Sequence, residues 1–272
     1  MPGKYYGYYQ QVADRMTPYL AGRRVSIESR YPGSPQIVFR RHPGGGDTTR
    51  WIFISEPEEL VDWVRQFAEG FHGHIRAEDG SAWFVIDIDA RDLPLGMARL
   101  ATEAAVTILE QQGLAPLVKF SGSNGFHLMW NVPNCADLSD PELWEIEQRV
   151  VTAVACEVER VLADDAVAAP IRDAVGPGRP LIVTSSADRE QRDGLLFDQL
   201  ILRDNAPFRV PFSVHPKSGL VAVPLQKEDL ASFDPASATP ETVNSDWPAP
   251  PVPNYSLQQV REAIATWEAG GC

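Results

Sequence analysis

Cysteine is scarce in this 272-residue chain, and its three copies, Cys135, Cys156 and Cys272, are far apart and odd in number. No C-x-x-C pair occurs, which argues against a structural zinc site and against a disulfide framework. Long apolar runs are also missing. No stretch approaches the ~20 residues of a membrane span, and the opening MPGKYYGYYQQ lacks a signal-peptide core. The expected compartment is the cytoplasm, with no membrane partner. Lysine is scarce too, at four of 24 basic residues (Lys4, Lys119, Lys217, Lys227). Arginine dominance suits bidentate contacts to phosphate and fits codon bias equally well. There is no internal repeat, and no Ser-His-Asp or Cys-His constellation that would supply a protein nucleophile.

What is present is the composition of an ordinary globular protein, 44% apolar and 22% charged, long enough to bury a sizeable core. The net charge of −13 counts against a nucleic-acid partner, but it is unevenly spread. Residues 1–50 hold eight Lys or Arg against three acids, a local charge of +5 that leaves −18 on the rest.

Residues 5–22 read as a helix. VSIESRY and QIVFRRH read as short strands around Pro32-Gly33-Ser34-Pro35, followed by a Gly44-Gly45-Gly46 loop and a short strand WIFIS. A helix is expected over 56–67. The strongest unit is a strand over 82–89, a helix over 95–112 closed by Gly113, a strand over 115–121, a turn, and a strand over 126–132. This β-α-β-β order is half a ferredoxin-like or polymerase-palm sheet. A long amphipathic helix over 141–162 follows, then loops to 195, strands over 195–202 and 220–225, a proline-rich extended segment over 234–253, and a closing helix over 257–267.

The chemistry starts in FVIDIDARDL. Asp87 and Asp89 are two apart on a strand and so project from one face. Paired carboxylates at the end of an apolar strand repel and lose hydration, so a counter-ion is expected. Hard divalent cations, Mg²⁺ or Mn²⁺, match oxygen ligands and the two-ion arrangement for phosphoryl or nucleotidyl transfer. Alone, D-x-D fits a solvated strand end about as well, and nucleotide-sugar glycosyltransferases use it too. Downstream, FSGSNGFHLMW places the turn Gly122-Ser123-Asn124-Gly125 between Ser121 and His127. Its backbone N–H groups and glycines allow close approach of a phosphate. The aspartate strand can lie beside the strand leading to Ser121. A third segment, FDQLILRDNAPFRVPFSVHPKSG, opens with Asp198 and presents Arg209, Ser213, His215 and Lys217, an anion cradle stiffened by prolines. His72 and His74, as H-G-H, have no carboxylate in a fitting pattern for a metal pair.

These segments, VIDID, SGSNGFH and FD in that order, resemble the three signatures of the archaeo-eukaryotic primase superfamily. RVPFSVHPKSG is similar to the basic loop of the primase small catalytic subunit. YYQQVADRMTPYLAGRRVSIESRYPG with VFRRH is similar to the polymerase domain of bacterial end-joining ligases. The likeness runs discontinuously from about Tyr5 to Leu225. It implies an α/β (α+β) primase catalytic core over 1–233, with an N-terminal α/β module (1–80) and an RRM- or palm-like active-site module (81–233). Residues 234–272 would form a proline-rich tail and closing helix packed on that core.

The resemblance implies that Asp87, Asp89 and Asp198 bind two Mg²⁺ or Mn²⁺ ions. Ser121, Gly122, Ser123, Asn124, Gly125 and His127 would hold the nucleotide's phosphates, with Arg209, Ser213, His215 and Lys217 around the triphosphate. Arg40, Arg41 and His42 would lie near nucleic acid. The implied activity is that of a DNA primase or DNA/RNA polymerase, adding NTP or dNTP to a 3′-hydroxyl on a DNA template. Its protein partner would be a primase large subunit, a ligase or another repair or replication protein. Two departures stand out. Members of that superfamily usually carry Arg or Lys in the hairpin turn where this chain has Ser123-Asn124, and the zinc knuckle of many primase small subunits is absent. The alternatives are a D-x-D nucleotide-sugar transferase, which the 208–219 loop weighs against, and a non-catalytic nucleic-acid binder.

Overall fold

The structure, a computed structural model, describes residues 3–44, 48–164, 168–184, 194–199 and 207–272. Its framework is a mixed, mainly antiparallel sheet. In chain order the strands are β1 (Arg23–Ser29), β2 (Val38–Arg40), β3 (Ala68–Ala77), β4 (Ala82–Asp89), β5 (Leu117–Phe120), β6 (Gly125–Val132), β7 (Ile182–Val183), β8 (Leu195–Phe197), β9 (Pro207–Arg209) and β10 (Pro224–Leu225). The main path runs β10-β5-β6-β4-β3-β1-β2, with β8 on β4, β7 on β8 and β9 on β3. The helices are α1 (Tyr6–Met16), α2 (Pro57–Arg65), α3 (Leu95–Gln111), α4 (Asp140–Asp164), α5 (Ala169–Val175), α6 (Lys227–Leu230) and α7 (Leu257–Ala269). This is the α/β class the sequence implies.

Local chemistry sets several boundaries. Helix α2 starts with a reciprocal capping box between Glu56 and Glu59, with Pro57 in its first turn. Helix α7 has the same device in Ser256 and Gln259. Helix α3 buries an alanine-rich stripe (Ala98, Ala101, Ala105) with Val106, Ile108 and Leu109, so it can lie close to the sheet. Helix α1 is fixed by buried tyrosines. The Tyr9 hydroxyl donates to Glu69 O (2.6 Å) and accepts from Val214 N–H (3.0 Å), while Tyr8 donates to Phe212 O (2.8 Å). Burial pushes both phenols up, so they remain neutral donors.

Several expectations are corrected. The aspartate strand β4 does not lie beside the strand leading to Ser121. It pairs along its whole length with β6, and β5 lies beyond β6. In a β-α-β-β unit the tight hairpin partner inserts between the two crossover-linked strands. Strand β3 was not expected, because Gly70 and Gly73 interrupt any period of two. Yet it is ten residues long and pairs with β1, β4 and β9. WIFIS supplies just one bridge, Val25 to Ile52, rather than a strand. The stretch read as loops holds α5 and β7. The helix over 5–22 ends at Met16, with a 3₁₀ turn at Thr17–Tyr19 beyond it. Part of the glycine loop (45–46) and residues 200–202 of the expected strand lie outside the described residues.

The cysteine reading is also corrected. Cys156 on α4 and Cys272 after α7 form a disulfide with Cα atoms 5.6 Å apart, while Cys135 is buried and unbonded. Helix α7 packs along α4, and Arg149 and Glu268 are paired across that contact. Packing therefore brings together two cysteines 116 positions apart, a proximity that spacing cannot reveal. Among the described residues no helix is long and apolar enough to cross a membrane. Non-reducing peptide mapping should recover a Cys156–Cys272 linked peptide. Cys272→Ser should lower unfolding stability by about 2–4 kcal/mol, since the bridge closes a long loop; unchanged denaturation midpoints under reducing and oxidising conditions would contradict the bridge.

Candidate functional site

The expected acidic pair lies on the central strand β4. Asp87 and Asp89 are half-buried between fully buried Ile86, Ile88 and Ala90. On one side the register sets Asp87 opposite His127 and Asp89 opposite Gly125. On the other, Ile88 faces Phe197 and Asp89 faces Leu196. One further step sets Asp198 beside Asp87, where Asp198 N–H donates to the Asp87 carbonyl (2.9 Å). Asp87, Asp89 and Asp198 therefore come from two paired strands and share one stretch of the sheet. Burial raises the Asp89 carboxyl above its usual range; the Arg91 N–H bond (2.7 Å) opposes this and the like charge of Asp87 adds to it.

These oxygen donors suit a hard divalent cation, and the upward push on Asp89 is what a counter-ion would relieve. They do not form a finished cage. Among the described residues, no group of three or more His, Cys, Asp or Glu converges as a metal site. Asp87 Oδ1 is 3.2 Å from His127 Nε2, and Asp89 Oδ1 accepts from the Arg91 N–H. Magnesium commonly takes one or two carboxylates and completes its shell with water and substrate phosphates, so the donor set fits.

The hairpin turn and the basic loop form one unit. Ser121 Oγ accepts from Ser123 N–H (3.2 Å). Asn124 ties the turn to the end of β4, its side chain donating to Arg91 O and its carbonyl accepting from Ala90 N–H (2.9 Å). Gly125 is required there, because a Cβ would lie 2.3 Å from Ile88 O. Gly122 has φ +84°, and a Cβ would press on His215 at 3.1 Å. His215 Nδ1 pairs with Ser218 Oγ (3.0 Å), which donates to Gly122 O. Ser121, the turn, His127 and His215 are thus brought together beside the carboxylates.

Other expected residues lie elsewhere. Ser213 is fully buried and accepts from Phe71 N–H (2.8 Å), so it fastens the loop to β3 rather than lining the cleft. Arg209 is also buried, held by Val214 O (2.7 Å) and Glu28 Oε2 (2.7 Å). Exposed Lys217 borders a recess of about 900 Å³ shared with Lys4 and Arg30. Arg40, Arg41 and His42 occupy the far edge around β2. There the Arg40 guanidinium lies over Trp63 (4.8 Å), Arg41 over Phe39 (5.8 Å), and the His42 ring against Trp51 (5.3 Å).

Sequence reasoning missed a set of buried polar residues. Lys119 is fully buried next to His127, with its Nζ hydrogen-bonded to His127 Nδ1. Burial and the Arg209 charge push its amine well down, with Asp87 pulling the other way. The signal was present: Lys119 is the one polar residue of LVKF, two positions before Ser121. Glu28 joins His72 Nε2 (3.1 Å) to Arg209, so His72 does have a carboxylate beside it, supplied by the neighbouring strand β1. Gly70 makes room for that pair, since a Cβ would meet Glu28 Oε2 at 2.7 Å. Burial raises the Glu28 carboxyl, but the His72 and Arg209 contacts outweigh it and bring it to about 2.

The mixed sheet, with Asp87 and Asp89 on its central strand beside a glycine turn, has the fold that the primase-polymerase resemblance implies. The family model described as "LigD, primase-polymerase domain" matches residues 3–248, and the chain belongs to that family. A solved relative, the "Polymerase Domain from Mycobacterium tuberculosis Ligase D in complex with DNA", superposes with a TM-score of 0.63 at 18% identity, covering 98% of this chain and 88% of that one. At that identity the likeness shows the fold. None of the curated proteins matches the chain. Membership in the family supports a nucleotidyltransferase or polymerase role.

Burial first, then nearby charges, lower His72 and His74 from 6.5 to about 4. Rings held neutral in the folded chain gain protons only on unfolding between those values, so their contribution is full above pH 6.5 and lost as pH falls to 4. Glu28 adds a loss in the same direction, from its usual 4.5 down to about 2. Unfolding free energy should therefore fall from pH 6.5 to 4, by at most about 2.7 kcal/mol per pH unit for the two rings. His72→Asn/His74→Asn should flatten the slope; an equal slope in that variant would contradict the assignment.

Proposed function

We propose that the chain is a metal-dependent, template-directed nucleotidyltransferase, adding NTP or dNTP to a 3′-hydroxyl with release of pyrophosphate. The observation that carries the reading is the meeting of Asp87, Asp89 and Asp198 with a glycine turn stitched through Ser218 to the basic loop. Carboxylates alone would repel a triphosphate, and the turn alone would bind any anion. Together they suit an anion that arrives with divalent cations. Two Mg²⁺ or Mn²⁺ ions held by the three aspartates would supply charge neutralisation and a more acidic attacking hydroxyl.

The chain's own groups would bind and orient. The turn at residues 122–125, with the Ser121 hydroxyl, would receive phosphate oxygens. His127, lowered to about 4 by burial and then by Lys119, stays a neutral donor beside Asp87. Arg209 acts from behind, adding positive potential without a flexible side chain that must be ordered on binding. His215 extends the donor surface along the turn. Lys217, with Lys4 and Arg30, meets anionic backbone outside the cleft. Arg40, Arg41 and His42, interleaved with aromatic rings, suit a nucleic-acid strand through charge and stacking. The solved relative was captured with DNA, and DNA template and primer are the substrates proposed here. Residues 1–80 would serve as the strand-gripping module and 81–233 as the catalytic one.

Primer extension on a DNA template with Mg²⁺ or Mn²⁺ tests the reading. Asp87→Ala or Asp198→Ala should lower kcat at least about a hundredfold with the fold intact. Products without primer would add priming. Template binding with no extension under either metal, or turnover of a nucleotide sugar instead, would overturn the proposal.

A further inference from the structure

Lys119 is the polar residue of the cleft least explained by substrate contact. It is fully buried on β5, between Val118 and Phe120, and cannot touch a ligand. Its cross-strand neighbours are Pro224 on β10 and His127 on β6. Pro224 has no polar side chain. The Nζ reaches His127 Nδ1 and lies 4.4 Å from the centre of the Phe208 ring, which packs on His127 at 4.6 Å. Burying an amine in an apolar strand is costly where burying a methionine is not. A lysine here has a use other than packing.

The two neighbours of the His127 ring decide its tautomer. Lys119 Nζ carries N–H groups in either charge state, and it donates to Nδ1 when the ring's own proton is on Nε2. On the other side Nε2 faces Asp87 Oδ1 at 3.2 Å, and an ionised carboxylate only accepts. The opposite tautomer would set lone pair against lone pair at Asp87 and take from the Lys119 N–H groups their ring acceptor. From this geometry we infer that Lys119 is a positioning residue, holding His127 as the Nε2–H tautomer so that the ring presents an N–H to the phosphate-binding side of Asp87. The inference rests on the function proposed above.

Histidine-labelled full-length chain gives a direct readout. Two-bond ¹H–¹⁵N spectra, with His127 assigned by loss of its signal in His127→Asn, report which ring nitrogen is protonated. The wild type should show His127 protonated at Nε2 alone. Lys119→Met should yield a tautomer mixture, and the Kd for a nucleoside triphosphate with Mg²⁺, measured by calorimetry without template, should rise about tenfold. Lys119→Gln, which keeps an uncharged N–H donor, should restore the Nε2–H form; a purely structural role would not give this pattern. The inference is overturned by Nδ1 protonation in the wild type, by an unchanged tautomer in Lys119→Met, or by a changed tautomer with unchanged triphosphate affinity. A wild type that binds triphosphate with this tautomer response yet extends no primer sinks the polymerase reading and leaves this one standing.

Discussion

A carboxylate, an imidazole and an amine lie side by side across three adjacent strands, Asp87 on β4, His127 on β6 and Lys119 on β5. Each is expensive to bury alone. Together they form a directed chain of hydrogen bonds from Lys119 through His127 to Asp87, and that mutual pairing makes a polar line through the sheet tolerable. The line depends on register. A one-residue slip of β6 would turn His127 to the opposite face and leave Asp87 and Lys119 unpaired. The register is secured at the hairpin, where Gly125 alone can pass under Ile88 O and Asn124 fastens the turn to the end of β4.

A second polar cluster sits beside the first and is held by different means. Glu28, His72 and Arg209 come from β1, β3 and β9, and Gly70 opens the space they fill. The positive field of Arg209 extends beyond its own hydrogen bonds, lowering Lys119, His127 and His215 alike. The two clusters are thus electrostatically one. Tyr9 is the mechanical link: a single hydroxyl bonds both Glu69 on β3 and Val214 on the basic loop, tying helix α1 to the segment that carries Arg209.

What the sequence made legible follows from how local each signal is. Asp87 and Asp89 announced themselves because alternation on a strand is a two-residue pattern. The turn at Gly122–Gly125 was visible because its glycines meet a backbone demand within four residues. Helix α3 showed a continuous apolar stripe closed by Gly113. The hidden features depend on partners far along the chain. Glu28 looked like an ordinary strand acid until β3 and β9 brought His72 and Arg209 to it. Strand β3 was masked because the glycines that admit those partners erase its hydrophobic alternation. Cys156 and Cys272 needed the packing of α7 on α4. Lys119 was the near miss, since a lone lysine in LVKF conflicts with a buried strand, and such local conflicts mark functional positions.

The placement of Lys119 also bears on how a buried amine can act on a site that it does not touch. A cation on a hairpin turn touches its anion directly, but it is screened by solvent and must be ordered on binding. A cation inside the sheet is ordered in advance and unscreened, yet reaches the anion only through an intermediary. The intermediary must be able to accept on one side and donate on the other, which among side chains of fixed shape the neutral imidazole does well. His127 can serve in that way only if it stays neutral, and burial together with the Lys119 charge keeps it so. Lysine and histidine are therefore mutually dependent: the lysine needs an acceptor in an apolar strand, and the histidine needs a donor to fix its proton. Without Lys119 the imidazole would be held by Asp87 alone, and a lone pair facing a phosphate repels where an N–H attracts.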